Sequence, residues 1–208
     1  MILELMRSRR SVRRFKAEAP SKAALEKLLE AAVSAPSASN KQPWRFLVVR
    51  DRAVIERMAA AVSEATARVA AHVEPAARAQ FEAYGDYFTR FRDAPVVIVV
   101  LHRSLTLLSN LLDAGAGAED RAQVARMEET SGLIGASMAL QNLLLMAHAE
   151  GLGASGMTGP LIADKALREL LSVPDSWAIA ALAPVGFPDE APRPVPRKPL
   201  DAVVRWID

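Results

Sequence analysis

A chain of 208 residues with 51% apolar and 24% charged side chains carries enough apolar material for a full core and reads as one domain over residues 1–208. Its 26 Lys and Arg nearly balance 24 Asp and Glu, so the net charge of +2 lends no support to a nucleic-acid partner. With no cysteine, disulfides, thiolate zinc sites, iron–sulfur clusters and cysteine nucleophiles are all excluded.

The N-terminus concentrates positive charge. "MRSRRSVRRF" (Met6 to Phe15) holds five arginines in ten residues, and no apolar run follows that would make it a secretory signal. "SKAALEKLLEAAVSA" places Leu25, Leu28, Leu29, Ala32 and Val33 at helical spacing, with Ser21 as N-cap and Pro36 as terminator. After the polar loop "SASNKQP", "WRFLVV" reads as a strand, and a helix is expected from Ala53 to about Val73. "EPAARAQFEAYGDYFTRFRD" is helical with a break near Gly85. "APVVIVVL" has the continuous apolar character of a strand buried on both faces. "SLTLLSNLLDAGAGAEDRAQ" is the hardest stretch to read, and its Gly/Ala turn suggests a mobile excursion over a site; the role of segment 81–128 stays open.

A long helix is expected from Ser131 to Glu150. It is apolar on nearly every side, which requires burial in the core or against a partner chain. Its stretch "LIGASMALQNLLLMAHA" contains Gln141, Asn142 and His148, and reads as too short and too polar to span a bilayer. The expectation is therefore a cytoplasmic protein with no membrane partner. Gly151 ends the helix, "GLGASGMTGP" turns, "ADKALRELLSV" is a helix and "WAIAALAPVGF" a strand, and a proline-rich arm closes the chain.

Each motif has a bland reading beside a functional one. The arginine run is compatible with a solvated face, or with forked donors for a phosphate from Arg9, Arg10, Ser11 and Arg13. "SAPSASNKQPWRF" is a stiffened turn before a strand, and also a way to hold a planar polar ligand. "GLGASGMTGP" lacks the lysine of a P-loop and follows a helix, so it is a helix stop or a close backbone approach to a ligand. His72, His102 and His148 have no metal spacing, and no acid–base set stands out. If the protein is an enzyme, its reactivity would then come from a bound cofactor.

Taken in order, "RRSVRRF", "SAPSASNKQPWRFLVV", "GASMALQNLLLMAHAEGLGASGMTGP" and "LAPVGFPDEAPRPVPRKPLDAVVRW" resemble the FMN-dependent nitroreductase family. The resemblance implies an α+β fold, with a mostly antiparallel central sheet surrounded by helices, in an intertwined homodimer with FMN at the interface. It also implies NADH or NADPH as electron donor and a ping-pong route to a nitroaromatic, quinone or related small-molecule acceptor. Some relatives instead remove halogens, cleave the flavin or oxidise ring intermediates, and a flavin-binding protein with little turnover is a further alternative. Carried over by position, Arg9, Arg10 and Ser11 would hold the phosphate, with Arg197 and Lys198 closing on it. Arg13 would sit near the pyrimidine edge of the flavin, where negative charge appears on reduction. Ser37, Ala38, Ser39 and Asn40 would reach across from the other subunit. Met157, Thr158 and Gly159 would present backbone N–H groups near N5 and O4. No residue is expected to act as a catalytic acid or base. Gly156 stands where many relatives have a large residue, which would widen the pocket or loosen the loop.

Overall fold

Val96–His102 (β2) explains the architecture. Every residue in it is buried, so both faces need cover. In the computed structural model, which describes residues 1–192 and 194–207, β2 lies between Trp44–Val49 (β1) and Ala178–Gly186 (β4). Gly153–Ala154 (β3) completes a four-stranded sheet of order β1-β2-β4-β3, antiparallel at every pair. Alternate residues of β2 serve the two faces. Val97, Val99 and Leu101 pack on Ile55, Met58 and Val62 of Arg52–Ala70 (α3). Val96, Ile98 and Val100 pack with Leu25 and Leu28 of Lys22–Val33 (α2) and Leu143 of Ala118–Ala149 (α5). Each such side chain contributes about 1.5–3 kcal/mol by leaving water.

Local chemistry sets most boundaries. The Ser21 hydroxyl accepts the Ala24 N–H at the start of α2, and the Asp51 carboxylate accepts the Ala53 N–H at the start of α3. Gly151 takes φ +73° just past α5, the left-handed stop that favours glycine. Pro75–Gly85 (α4) gives way at the expected break to a 3-10 stretch, Asp86–Asp93, and Asp164–Leu170 (α6) precedes β4.

Ile2–Ser8 forms a helix (α1) with no buried residue, and its Ile2, Leu3 and Met6 side chains are exposed. Two expectations need correction. Val33 is exposed rather than on the core face of α2. Helix α5 begins at Ala118, not Ser131. Its added first turns, "AEDRAQVARMEET", are good helix formers with Glu119 and Asp120 favourably placed near the positive end of the helix dipole, but they carry no continuous apolar face. Helix α5 is long and apolar enough to cross a membrane by length and composition alone, but Gly132, Gly135, Ala136, Ala139 and Ala147 bury one side of it in the protein, as a core helix requires.

Candidate functional site

The two ends of the chain meet at the β3 edge of the sheet. Ser11 bridges Ala154 in parallel fashion, and the Val12 N–H donates to the Ala154 carbonyl at 3.1 Å. This docking needs glycine at 153, because a Cβ there would lie 2.6 Å from the Val12 side chain. On the other side, Phe15 bridges Pro188, and the Asp189 N–H donates to the Arg14 carbonyl. The result is a cavity of about 470 Å³ lined by Arg9, Arg10, Ser11, Arg13, Pro192 and Arg197, with Glu190 and Val195 completing it.

Its electrostatics are unbalanced. Arg9 Nη1 is buried without a hydrogen-bond partner among the described residues. Burial, then the Arg197 and Arg10 charges, lower the Arg9 pKa, so its charged form is held at a cost with no anion to relieve it. No ion pair in the described residues joins a carboxylate to Arg9, Arg10, Arg13 or Arg197. Arg10 is partly committed elsewhere: its Nη1 donates to the Arg7 and Arg9 carbonyls, closing the end of α1. Lys198 is exposed and does not line the cavity. A half-buried guanidinium with one unpartnered buried nitrogen, beside a hydroxyl and further cations, fits a phosphate group, with charge-assisted bonds from each arginine.

The glycine-rich turn lies beyond β3. Met157 is buried and bridges Leu182, and its N–H donates to the Leu182 carbonyl at 2.8 Å. That amide is therefore spent inside the sheet, contrary to the expectation that it faces a flavin. Thr158 and Gly159 open the 3-10 turn Gly159–Ala163, where first-turn amides have no carbonyl of their own turn to meet. Gly159 is packed on Phe88: a Cβ there would lie 2.1 Å from the ring. Gly156 is exposed, and a Cβ there would sit 3.3 Å from Leu140. The neighbouring Ser155 hydroxyl is buried without a partner among the described residues.

Ser37, Ala38, Ser39 and Asn40 lie elsewhere. Their loop leads into Trp44, which pairs with His102, which pairs in turn with Ala178, at the far end of β4 from the Val185 that faces Ala154. Seven residue steps along β4 separate the two ends, about 23 Å at roughly 3.3 Å per residue. The loop has an unusual shape. Ser39, Asn40 and Gln42 have φ of 51°, 51° and 47°, left-handed values that cost about 1–3 kcal/mol each, least for Asn, and persist only where the surroundings hold them. The Ser37 hydroxyl accepts the Gln42 N–H at 2.9 Å and helps hold this form.

At that same end lies a cationic cluster the sequence reading missed. Arg45 and Arg103 both stack on Trp177, at 4.4 and 5.3 Å from the ring centre, and Arg103 and Lys41 line a cavity of about 460 Å³. The neighbouring His102 is buried, with Nδ1 unpartnered among the described residues. Burial lowers its pKa against the opposing pull of Glu129. Glu190, the other missed residue, has an acidic side chain, and nothing in "PDEAP" marks it as part of a basic pocket.

The structure is an antiparallel α+β fold with a cationic pocket at its sheet edge, lined from both the N-terminal segment and the C-terminal arm. Residues 6–187 match the profile of the Nitroreductase family, and the chain belongs to that family of flavoprotein oxidoreductases. It is 34% identical over 213 residues to a Thermus thermophilus NADH dehydrogenase, covering 95% of this chain and 92% of the relative. It is 32% identical over 198 residues to 5,6-dimethylbenzimidazole synthase of Rhodospirillum rubrum, covering 92% and 83%. Among solved structures, the fold is similar to a BluB-like flavoprotein of Clostridium difficile 630 (TM-score 0.87, 22% identity, 100% and 99% coverage). It is also similar to an iodotyrosine deiodinase bound to FMN and 3-iodo-L-tyrosine (TM-score 0.75, 24% identity, full coverage of both chains). The expected nitroreductase-like fold is thus the observed one.

Proposed function

We propose that this protein is an FMN-dependent, NAD(P)H-oxidising reductase of nitroaromatic, quinone or related acceptors. The observation that carries the reading is the buried, unpartnered Arg9 Nη1 in a cavity shared with Ser11, Arg13 and Arg197. A phosphate monoester carries close to two negative charges at neutral pH, which this set matches. When bound, FMN would supply hydride acceptance at its N5 and delivery of the electron pair to a second substrate. Arg9, Arg197 and the Ser11 hydroxyl would hold the phosphate. Arg13 would favour negative charge developing on the ring. Thr158 and Gly159 would offer amide donors to the ring edge. In this arrangement the protein positions reactants and excludes water, while protons come from solvent.

The reading includes a homodimer. Ser37–Asn40 contribute to a flavin site only if a second copy brings its loop to the first copy's arginine pocket, because within one chain the two are an entire strand length apart. Exposed apolar side chains on α1 (Ile2, Leu3, Met6), α5 (Leu133, Ile134) and the C-terminal arm (Val203, Trp206, Ile207) supply the surface for such an intertwined pair.

The test is spectroscopic. Purified protein should be yellow with oxidised-flavin absorbance, and anaerobic NADH or NADPH should bleach it. Steady-state assays with nitroaromatic, quinone and halogenated phenol acceptors then assign the second substrate. A yellow protein that neither nicotinamide reduces would overturn the reductase reading, and a colourless one that takes up no FMN would overturn the cofactor.

A further inference from the structure

One carboxylate sits inside the arginine pocket. Glu190 lines it, yet it forms no ion pair with any of the four arginines among the described residues. Its Oε1 instead accepts the backbone N–H of Arg13 at 2.6 Å and of Arg14 at 3.2 Å. By charge alone this is a poor neighbour for a phosphate, and its removal should tighten anion binding.

The backbone around Glu190 suggests a different role. The chain end is sewn to the N-terminal segment step by step: the Lys16 N–H donates to the Phe187 carbonyl, Phe15 bridges Pro188, and the Asp189 N–H donates to the Arg14 carbonyl. The Glu190 carboxylate is the last stitch. Beyond it, the next main-chain bonds of the arm are internal to its own turn, from Ala202 to Pro199 and from Val203 and Val204 to Leu200. Among the described residues, no backbone hydrogen bond ties 191–197 to the body, although Pro192, Val195 and Arg197 all line the cavity. Prolines at 192, 194 and 196 restrict what the arm can do once one end is fixed.

We propose that Glu190 is a positioning residue for the cofactor phosphate: its carboxylate clasps the Arg13 and Arg14 amides, fastens the C-terminal arm over the arginine pocket and thereby delivers Arg197. The inference rests on the FMN reading above and deepens it. Because the clasp uses main-chain amides, it leaves the Arg9 guanidinium without a counter-ion and available to the phosphate.

The sign of the effect decides between clasp and repulsion. FMN and riboflavin dissociation constants are measured by flavin fluorescence on the wild type, Glu190→Ala, Arg197→Ala and the double variant, all full-length. Amide hydrogen exchange of residues 187–207 is followed in the holoprotein. Glu190→Ala should weaken FMN at least tenfold, change riboflavin less than threefold and speed exchange in the arm. The double variant should bind FMN no worse than Arg197→Ala, since the clasp acts through that arginine. Should Glu190→Ala fail to fold, Glu190→Gln, which keeps one acceptor oxygen, should give a smaller loss with the same insensitivity to riboflavin. Unchanged or tighter FMN binding in either variant, or additive losses in the double variant, would overturn the clasp. A wild type that binds no FMN would overturn the cofactor reading and the clasp with it, whereas a wild type that binds beside an unimpaired Glu190 variant sinks the clasp alone.

Discussion

Met157 and Leu182 exchange both of their backbone hydrogen bonds, at 2.8 and 2.9 Å, and so pin the glycine-rich turn to the middle of β4. The turn cannot slide to make room for bulk. Gly159, two residues on, has the Phe88 ring where a side chain would begin. Gly159→Ala should therefore destabilise the protein by about 1–3 kcal/mol, the usual cost of overpacking. Chemical denaturation checks it. A second change, Phe88→Ala, should recover part of the loss in the Gly159→Ala background by opening the space.

Arg9 has a buried Nη1 with no hydrogen-bond partner among the described residues. Its charge is opposed by burial, by Arg197 and by Arg10. Replacing it with methionine keeps much of the stem and removes the conflict. Arg9→Met should leave the cofactor-stripped protein at least as heat-stable as the wild type, while weakening FMN by about ten- to a hundredfold, as expected for a lost charge-assisted bond of roughly 1.5–3 kcal/mol. Thermal melts with and without FMN read both effects at once. Riboflavin, which lacks the phosphate, should bind the two proteins alike.

Much of this molecule was legible before its structure, and the reasons are local. β2 announced itself by six apolar residues in a row before His102, and α2 by Ser21 and its leucine spacing. The arginines of the pocket were legible as a cluster because four of its lining residues, Arg9, Arg10, Ser11 and Arg13, are neighbours in sequence. What was not legible depends on long-range placement. Glu190 joins the pocket through amides 177 and 176 residues away, and Arg45, Arg103 and Trp177 converge from three strand ends. The Met157 amide looked free because a glycine-rich turn hides the strand bridge that consumes it.

Glu128 should make the loop after β2 sensitive to acid. Its side chain is 3% exposed, and Oε1 accepts the N–H groups of Leu107 and Leu108 at 2.5 and 2.7 Å. Burial would raise its carboxyl pKa, but hydrogen bonds from Ser109 and from the Leu108 and Leu107 amides outweigh this and hold it below the usual carboxylate range. A depressed folded-state pKa means the stabilisation is present above the unfolded value of about 4.3 and is lost as pH falls toward the lower folded value. Residues 105–109 should therefore stay protected from proteolysis at pH 7 and become cleavable as pH drops below about 4. Glu128→Ala should expose them already at pH 7, while α3 and the sheet remain protected.

Two independent rulers separate the Ser37 loop from the arginine pocket within one chain. A Cβ on Gly135 would sit 3.7 Å from Ser37, while the Ser8 hydroxyl meets His148 Nε2 at 2.9 Å, so the two features mark points thirteen residues apart on α5. At 1.5 Å per residue that is about 20 Å, close to the 23 Å counted along β4. If both features serve one cofactor, two copies must supply them, and the exposed Leu133 and Ile134 lie on the same helix just before the Gly135 mark. The wild type should sediment at twice the 22.4 kDa chain mass. Ile134→Glu, combined with Leu133→Glu, should place like charges across any symmetric contact there, shift the protein toward monomer and release FMN. The arginine pocket lies wholly within one chain, so the separated monomer should still gain heat stability from inorganic phosphate. A variant that loses the dimer yet holds FMN as tightly as before would show that the Ser37 loop takes no part in binding it.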